Sequence, residues 1–145
     1  MTESSVQQTS LDNIRTVEAF LAALADDDLD TAAAALAENV VYQNVGLPAI
    51  HGRSATIGVF RRMAGRVGFD VKTHRIAAEG SAVLTERTDV LTLGPLRLQF
   101  WVCGVFEVNN GRITLWRDYF DFLDMFKATL RAVAATVFPA LRPTL

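Results

Sequence analysis

Three polar side chains in this sequence stand where β-strands would aim them together. Thr85-Glu86-Arg87-Thr88-Asp89-Val90-Leu91 reads as a strand. Side chains two apart in a strand share a face, so Arg87 and Asp89 point one way while Glu86 and Thr88 point the other. Further on, Thr114, Trp116, Asp118 and Phe120 share a face, which sets Asp118 among aromatic rings, where a carboxylate is costly unless it is paired or used. Tyr42 and Asn44 share a face of a third apolar run and add a hydroxyl and an amide. Two carboxyl groups bridged by the fork of one arginine suit the opening of an epoxide by water. One carboxyl protonates the leaving oxygen, and the other takes a proton from the water attacking the opposite side of the carbon. Keeping one of them neutral near pH 7 needs a dry site and the repulsion of the second charge, and such a pair titrates as a unit. Ring strain drives part of the reaction, so neither a metal nor a covalent intermediate is required. The same Arg-x-Asp pattern also describes a salt-bridge network on a wet face. Tyr-x-Asn at a strand end also describes packing plus a turn-forming amide. Pattern alone leaves these alternatives open.

The elements that must position these residues follow from periodicity and turn chemistry. Residues 1–10, rich in Ser, Thr and Gln, are expected to be disordered, leaving 11–145 as a single domain. Ile14, Val17, Phe20, Leu21 and Leu24 recur at helical spacing, with Ser10 or Asp12 as cap and Asp26-Asp27-Asp28 as the end. An Ala-rich helix is expected from Leu29 to Ala37, a strand over Val40–Asn44, and a third helix from Arg53 to Ala64. Strands then follow over Phe69–Ile76, Ala82–Leu93, Leu96–Val108 and Arg112–Phe120, punctuated by Glu79-Gly80, Gly94-Pro95 and the hairpin signal Asn109-Asn110-Gly111. A last helix spans Asp124 to Ala140, with Phe126, Leu130, Val133 and Val137 on one stripe. Helices gathered before a run of hairpin-linked strands predict an α+β fold, with helices packed on one face of a curved sheet.

Composition narrows the function classes. Half of the 145 residues are hydrophobic, 21% are charged, and the net charge is -2, which speaks against a nucleic-acid partner. Arg61, Arg62 and Arg66 cluster without an aromatic stripe and read as a solvated helix face. Cys103, the only cysteine, lies in the apolar run Phe100–Phe106 and is expected to be a buried, inert thiol. One Cys and two separated histidines, His51 and His74, give no zinc spacing, and no glycine-rich phosphate loop is present. The first ten residues lack the features of a signal peptide, and no run of about 18 apolar residues exists. A cytoplasmic location without stable membrane insertion is expected. Leu47, Ile57, Phe60, Met63, Leu98, Phe100, Trp116, Phe120 and Phe122 are candidates for an apolar pocket wall, which favours a hydrophobic ligand over a sugar or nucleotide.

Tyr42-Gln43-Asn44, the segment Thr85–Leu91 and the segment Gly111-Arg112-Ile113-Thr114-Leu115-Trp116-Arg117-Asp118-Tyr119-Phe120-Asp121 resemble, in order and separation, motifs of the limonene epoxide hydrolase family. The resemblance runs from about Ile14 to Phe126, and the whole chain is similar to a mycobacterial-type branch that acts on bulky lipid or sterol epoxides. It implies a cone-shaped α+β fold with a curved mixed sheet, cystatin-like and of the nuclear-transport-factor or ketosteroid-isomerase type, usually dimeric. It also implies that Asp118 is the general base, holding the nucleophilic water with Tyr42 and Asn44. Asp89 would be the general acid and Arg87 the group that orients both carboxyls. The implied reaction takes a hydrophobic epoxide (terpene, fatty or sterol type) and water to a vicinal diol in one step, with no cofactor. An isomerase or cyclase on the same cone, or a non-catalytic lipid-binding module, is the competing reading. The chain departs from the family pattern in its last apolar helix, which continues to Leu141. That helix is expected to cover core or a subunit interface, with a lid or a membrane-surface contact as the alternative.

Overall fold

Side-chain caps set the boundaries of the first helices in the computed structural model, which describes residues 2–145. In α1 (Glu3–Ala25) the Thr2 side chain accepts from the Ser5 amide, which satisfies one of the free N–H groups of the first turn. The expected disordered segment 1–10 begins at Met1, which lies outside the described residues. Glu3–Ser10 is instead the exposed start of α1, held by local bonds such as Thr9 Oγ1 to the Ser5 carbonyl and Gln8 to Asp12. Asp28 caps α2 (Leu29–Ala35) by accepting from the Thr31 amide.

The chain leaves helix earlier than its alanine content predicts. Strand β1 (Leu36–Asn44) begins four residues before the expected Val40, and Leu36 and Val40 are both fully buried. Helix propensity is a weak preference that burial of large side chains overrides. A two-residue strand β2 (Ile50–His51), with no periodic signal of its own, pairs antiparallel with β1 ahead of α3 (Arg53–Met63).

Four long strands complete the sheet: β3 (Val67–Glu79), β4 (Ala82–Leu93), β5 (Leu96–Asn109) and β6 (Arg112–Phe120). The order is β2-β1-β6-β5-β4-β3, with β1 parallel to β6 and the other neighbours antiparallel, so the curved sheet is mixed as expected. At the β5–β6 turn Asn110 and Gly111 both take positive φ (52° and 76°), the geometry of the two-residue hairpin. One sheet face carries the core. Phe20 of α1 packs edge-on to Trp116 (centroids 5.0 Å apart), and Val17, Leu21, Leu24 and Ile57 close over Val83, Phe106 and Ile113. Each large side chain buried there contributes about 1.5–3 kcal/mol.

One expectation fails on which way a side chain points. Cys103 is exposed, because alternation turns it away from its buried neighbours Val102 and Gly104. Helix α4 (Phe122–Val137) packs its small residues inward: Ala128 lies in the cluster with Phe100 and Val102, and Ala132 is buried. Its stripe of Phe126, Leu130, Val133 and Val137 faces solvent. Asp124 fixes the helix by accepting from the Trp101 amide, on the stretch of β5 that extends past its pairing with β6. A 3-10 turn (Pro139–Leu141) follows, and the tail crosses to the opposite sheet face. There the Pro143 and Thr144 carbonyls accept from Arg97 and Gln99.

Candidate active site

Strand register brings the polar residues together. Asn44 of β1 stands beside Asp118 of β6, Asp118 beside Gly104 of β5, and Gly104 beside Thr85 of β4, so the four form one row across the sheet. Arg87 begins one row further on, opposite Val102, and Asp89 another row beyond, opposite Phe100. The Arg87 side chain lies back over Gly104. A Cβ at position 104 would fall on Nη1 of Arg87 and only 2.8 Å from Asp118 Oδ1 and Thr85 Oγ1. The bare glycine is what lets a guanidinium cross the sheet surface between two carboxylates.

All three charged groups are buried: Arg87 is 0% exposed, Asp118 3% and Asp89 4%. Arg87 donates to both oxygens of Asp89, Nε to Oδ1 at 3.1 Å and Nη2 to Oδ2 at 2.9 Å, a bidentate fork. The same Nη2 lies 3.1 Å from Asp118 Oδ1. This is a close ion pair, but it lies off the N–H direction, so Oδ1 accepts no hydrogen bond among the described residues. Nη1 donates to Thr85 Oγ1 at 3.1 Å, and Arg87 sits 6.0 Å from the centre of the Phe106 ring. Asp118 Oδ2 accepts from the indole N–H of Trp116 at 3.1 Å.

These surroundings set the protonation chemistry. Burial pushes the Asp118 carboxyl up to about 6 and outweighs the opposing pull of Arg87, while the second negative charge of Asp89 raises it further. Burial works against the Arg87 charge, but the flanking carboxylates more than offset it, and its pKa is raised. Tyr42 rises to about 12, chiefly through burial, so its phenol stays protonated. Asn44 donates to the Tyr42 oxygen at 3.0 Å, and Tyr42 stacks on Trp116 with centroids 4.0 Å apart. The Tyr42 hydroxyl in turn donates to Asn44 Oδ1 in a long contact of 3.4 Å.

Tyr42, Asn44, Asp89 and Asp118 line one cavity of about 440 Å³ whose other walls are hydrocarbon. Of the expected wall residues, Leu47, Phe60, Met63, Phe100, Trp116, Phe120 and Phe122 line it. Ile57 does not: it is buried in the helix–sheet core. Leu98 does not either, packing beside Phe100 and Ala128. Leu24, Ile50, Val59, Val67, Phe69, Leu91 and Met125 complete the wall, and the sequence marked them only as apolar. Thr85 and Gly104 escaped sequence reasoning. Thr85 shares its strand face with Arg87 and Asp89 and was open to the same alternation argument, whereas a glycine in an apolar strand carries no positive signal beyond close backbone approach. His74 stays outside, with Nε2 2.7 Å from Thr88 Oγ1 on the other side of β4. Among the described residues no group of three His, Cys, Asp or Glu side chains is placed to hold a metal ion.

The chain has relatives among known proteins. The family model described as the limonene-1,2-epoxide hydrolase catalytic domain matches residues 11–131. An epoxide hydrolase of Mycobacterium tuberculosis, EphG, is 64% identical over 129 residues, covering 89% of this chain and 87% of that protein. A solved M. tuberculosis epoxide hydrolase of limonene-epoxide-hydrolase type superposes with a TM-score of 0.93 at 61% identity, over 94% of this chain and 98% of that one. A ketosteroid isomerase-like protein from Kribbella flavida shares the fold alone, at a TM-score of 0.65 and 21% identity, over 77% of this chain and 79% of the other.

Proposed function

The chain belongs to the limonene-1,2-epoxide hydrolase family, and on that premise we propose that it adds water to a hydrophobic epoxide in one step to give a vicinal diol, using Asp118, Arg87 and Asp89. The observation that carries this reading is a pair of carboxylates gripping one arginine at the polar end of a cavity lined otherwise by hydrocarbon. Asp118 is the general base. A carboxylate raised to about 6 is ionised at neutral pH and still more basic than an ordinary aspartate, as proton abstraction from water requires. The water donates to Asp118 and to Asn44 Oδ1 and accepts from the Tyr42 hydroxyl, whose hydrogen turns to it from the long 3.4 Å contact with Asn44 Oδ1. Its oxygen attacks one ring carbon while the carbon–oxygen bond on the far side breaks. In the reactive state the two carboxyls hold one proton between them, on Asp89, the general acid, which passes it to the departing oxygen.

One proton thus leaves Asp89 and one arrives at Asp118 in each turnover. The site resets by returning a single proton between two groups that share Arg87, which stays charged throughout and holds both in position. The walls favour terpene, fatty or sterol epoxides over polar ones. An isomerase moving a proton beside a ketone would need one base and an oxyanion hole, and it would leave the Arg87–Asp89 pair without work. The fold does not decide between these reactions, but the site favours hydrolysis.

The test is a hydrolysis screen over terpene, styrene-type, fatty and sterol epoxides in ¹⁸O-labelled water under single-turnover conditions. Diol carrying the label, with none retained in the protein, is the expected result. Label in the protein would point to an alkyl-enzyme intermediate and defeat direct attack. No turnover of any epoxide, together with tight retention of lipid, would favour a binding module.

A further inference from the structure

A second cavity, of about 450 Å³, lies against the active one, where α1 and α3 end, β3 begins and β4 ends. Six residues line both cavities: Leu24, Phe60, Met63, Val67, Phe69 and Leu91. The partition is therefore one residue thick, and every side chain in it is apolar. Asp89 and Leu91 share a face of β4 two residues apart, so the partition starts about 7 Å beyond the Asp89 carboxyl. The mouth of the active cavity lies the other way, toward β1 and β6, where Leu47 and Phe122 line it and are both more than half exposed. Packing holds most of the partition still. Leu24 is buried in the helix–sheet core, Phe69 and Leu91 stand opposite each other in the β3–β4 ladder, and Phe60 stacks on Trp116 with centroids 5.6 Å apart. Met63 is the loose member: it is the last residue of α3, only partly buried, unbranched, and able to turn about three side-chain bonds. Beyond the partition the walls are mostly small (Ala25, Ala64, Gly65, Gly68 and Gly94), which keeps the second cavity open.

We propose that the second cavity is a distal subsite for the substrate: Met63 swings aside, and one arm of an elongated epoxide passes through the partition into it. On the hydrolase reading, on which this rests, the substrate class narrows to internal epoxides that carry an apolar arm on each ring carbon. One arm runs toward the mouth at Leu47 and Phe122, and the other crosses to the second cavity, with the ring held between them at Asp89 and Asp118. A terminal epoxide has one arm and leaves one of the two spaces to water. Cavities of about 440 and 450 Å³ are each the size of a small-ligand pocket, so each can take an arm of its own. Exposed Asp27 and Arg66 stand at the outer end of the second cavity and limit the arm, since a longer one meets water and charge there. Each methylene moved from water into the subsite strengthens binding roughly fourfold. Binding made on a remote arm raises kcat/KM even though the arm takes no part in the chemistry.

The experiment uses linear cis-epoxides in which one arm stays at two carbons and the other lengthens from two to ten. It reads the ratio of kcat/KM for the longest arm to that for the shortest, in the wild type, Ala25→Phe and Ala64→Phe. Both positions line the second cavity and not the first. The expected result is a ratio well above one in the wild type and at least tenfold lower in both variants. A ratio unchanged in both would overturn the subsite, whether the rates held or fell together. Met63→Ile keeps the bulk but stiffens the side chain, and it should lower the ratio as well; a wild-type ratio there would overturn the movement of Met63. Calorimetry of the diol products separates the subsite from the chemistry. If the wild type turned over no epoxide, the hydrolase reading would fall, yet an affinity for long-armed diols that both phenylalanine variants lose tenfold would still establish the subsite. Equal affinity in all three proteins would overturn it.

Discussion

Nη1 of Arg87 occupies the space above Gly104 that the Cβ of any other residue would fill. The active arrangement therefore depends on an absent side chain as much as on the charges around it. Gly104→Ala pushes a methyl group into Arg87, Asp118 and Thr85 at once, all three of them buried. Overpacking of this kind costs about 1–3 kcal/mol of stability. A displacement near 1 Å at reacting groups costs about 100-fold in rate. Steady-state diol formation, read beside a thermal melt, checks both effects; wild-type kcat/KM in Gly104→Ala would refute this account.

Among the described residues, Thr85 gives Arg87 its one hydrogen-bond acceptor that is not a carboxylate. Thr85→Val keeps the shape but leaves a buried, charged N–H without its partner, at a cost of about 1–3 kcal/mol. Thr85→Ser keeps the hydroxyl. The serine variant should recover most of the kcat and melting temperature that valine loses. Equal loss in both variants would mean that the methyl group, and not the hydroxyl, does the positioning.

How much of this was legible beforehand depends on whether a property is local. Alternation along β4 and β6 put Arg87 beside Asp89 and set Asp118 among aromatic rings, because strand faces follow from sequence parity alone. The void over Gly104 was not legible, since it arises from the meeting of three strands in register. The stripe on α4 was legible as a stripe, but periodicity defines a face without saying what lies opposite it, and in the single chain that face is exposed. Ile57 and Leu98 were equally apolar as core or as pocket wall, and only the curvature of the sheet separates those fates.

The carboxyl of Asp118 predicts opposite pH trends for rate and stability. It must be ionised to act as a base, so kcat/KM should rise with pH along an acid limb centred at about 6. Its folded pKa lies above the ordinary 3.8, so the native state binds the proton more tightly than the unfolded chain. The stabilisation from this group is therefore full below pH 4 and is lost as pH rises through about 6. Denaturant titrations between pH 4 and 8 should show this term disappearing from the wild type and missing from Asp118→Asn. A wild-type acid limb below pH 5 would exclude Asp118 as the base.

Trp116→Phe separates the indole N–H from the ring that carries it. The ring stacks on Tyr42 and lies within 5.6 Å of Phe60, centre to centre, and phenylalanine keeps much of that apolar contact. What disappears is the hydrogen bond to Asp118 Oδ2, one of the interactions that favour the charged carboxylate. Without it the charged form is harder to maintain, so the acid limb should move to higher pH. At the plateau, where the base is ionised in both proteins, the rate should fall far less than at pH 5. A merely structural role would lower the rate by the same factor at every pH. An acid limb that stayed in place, with a uniform loss of rate, would show that the N–H does not tune the base.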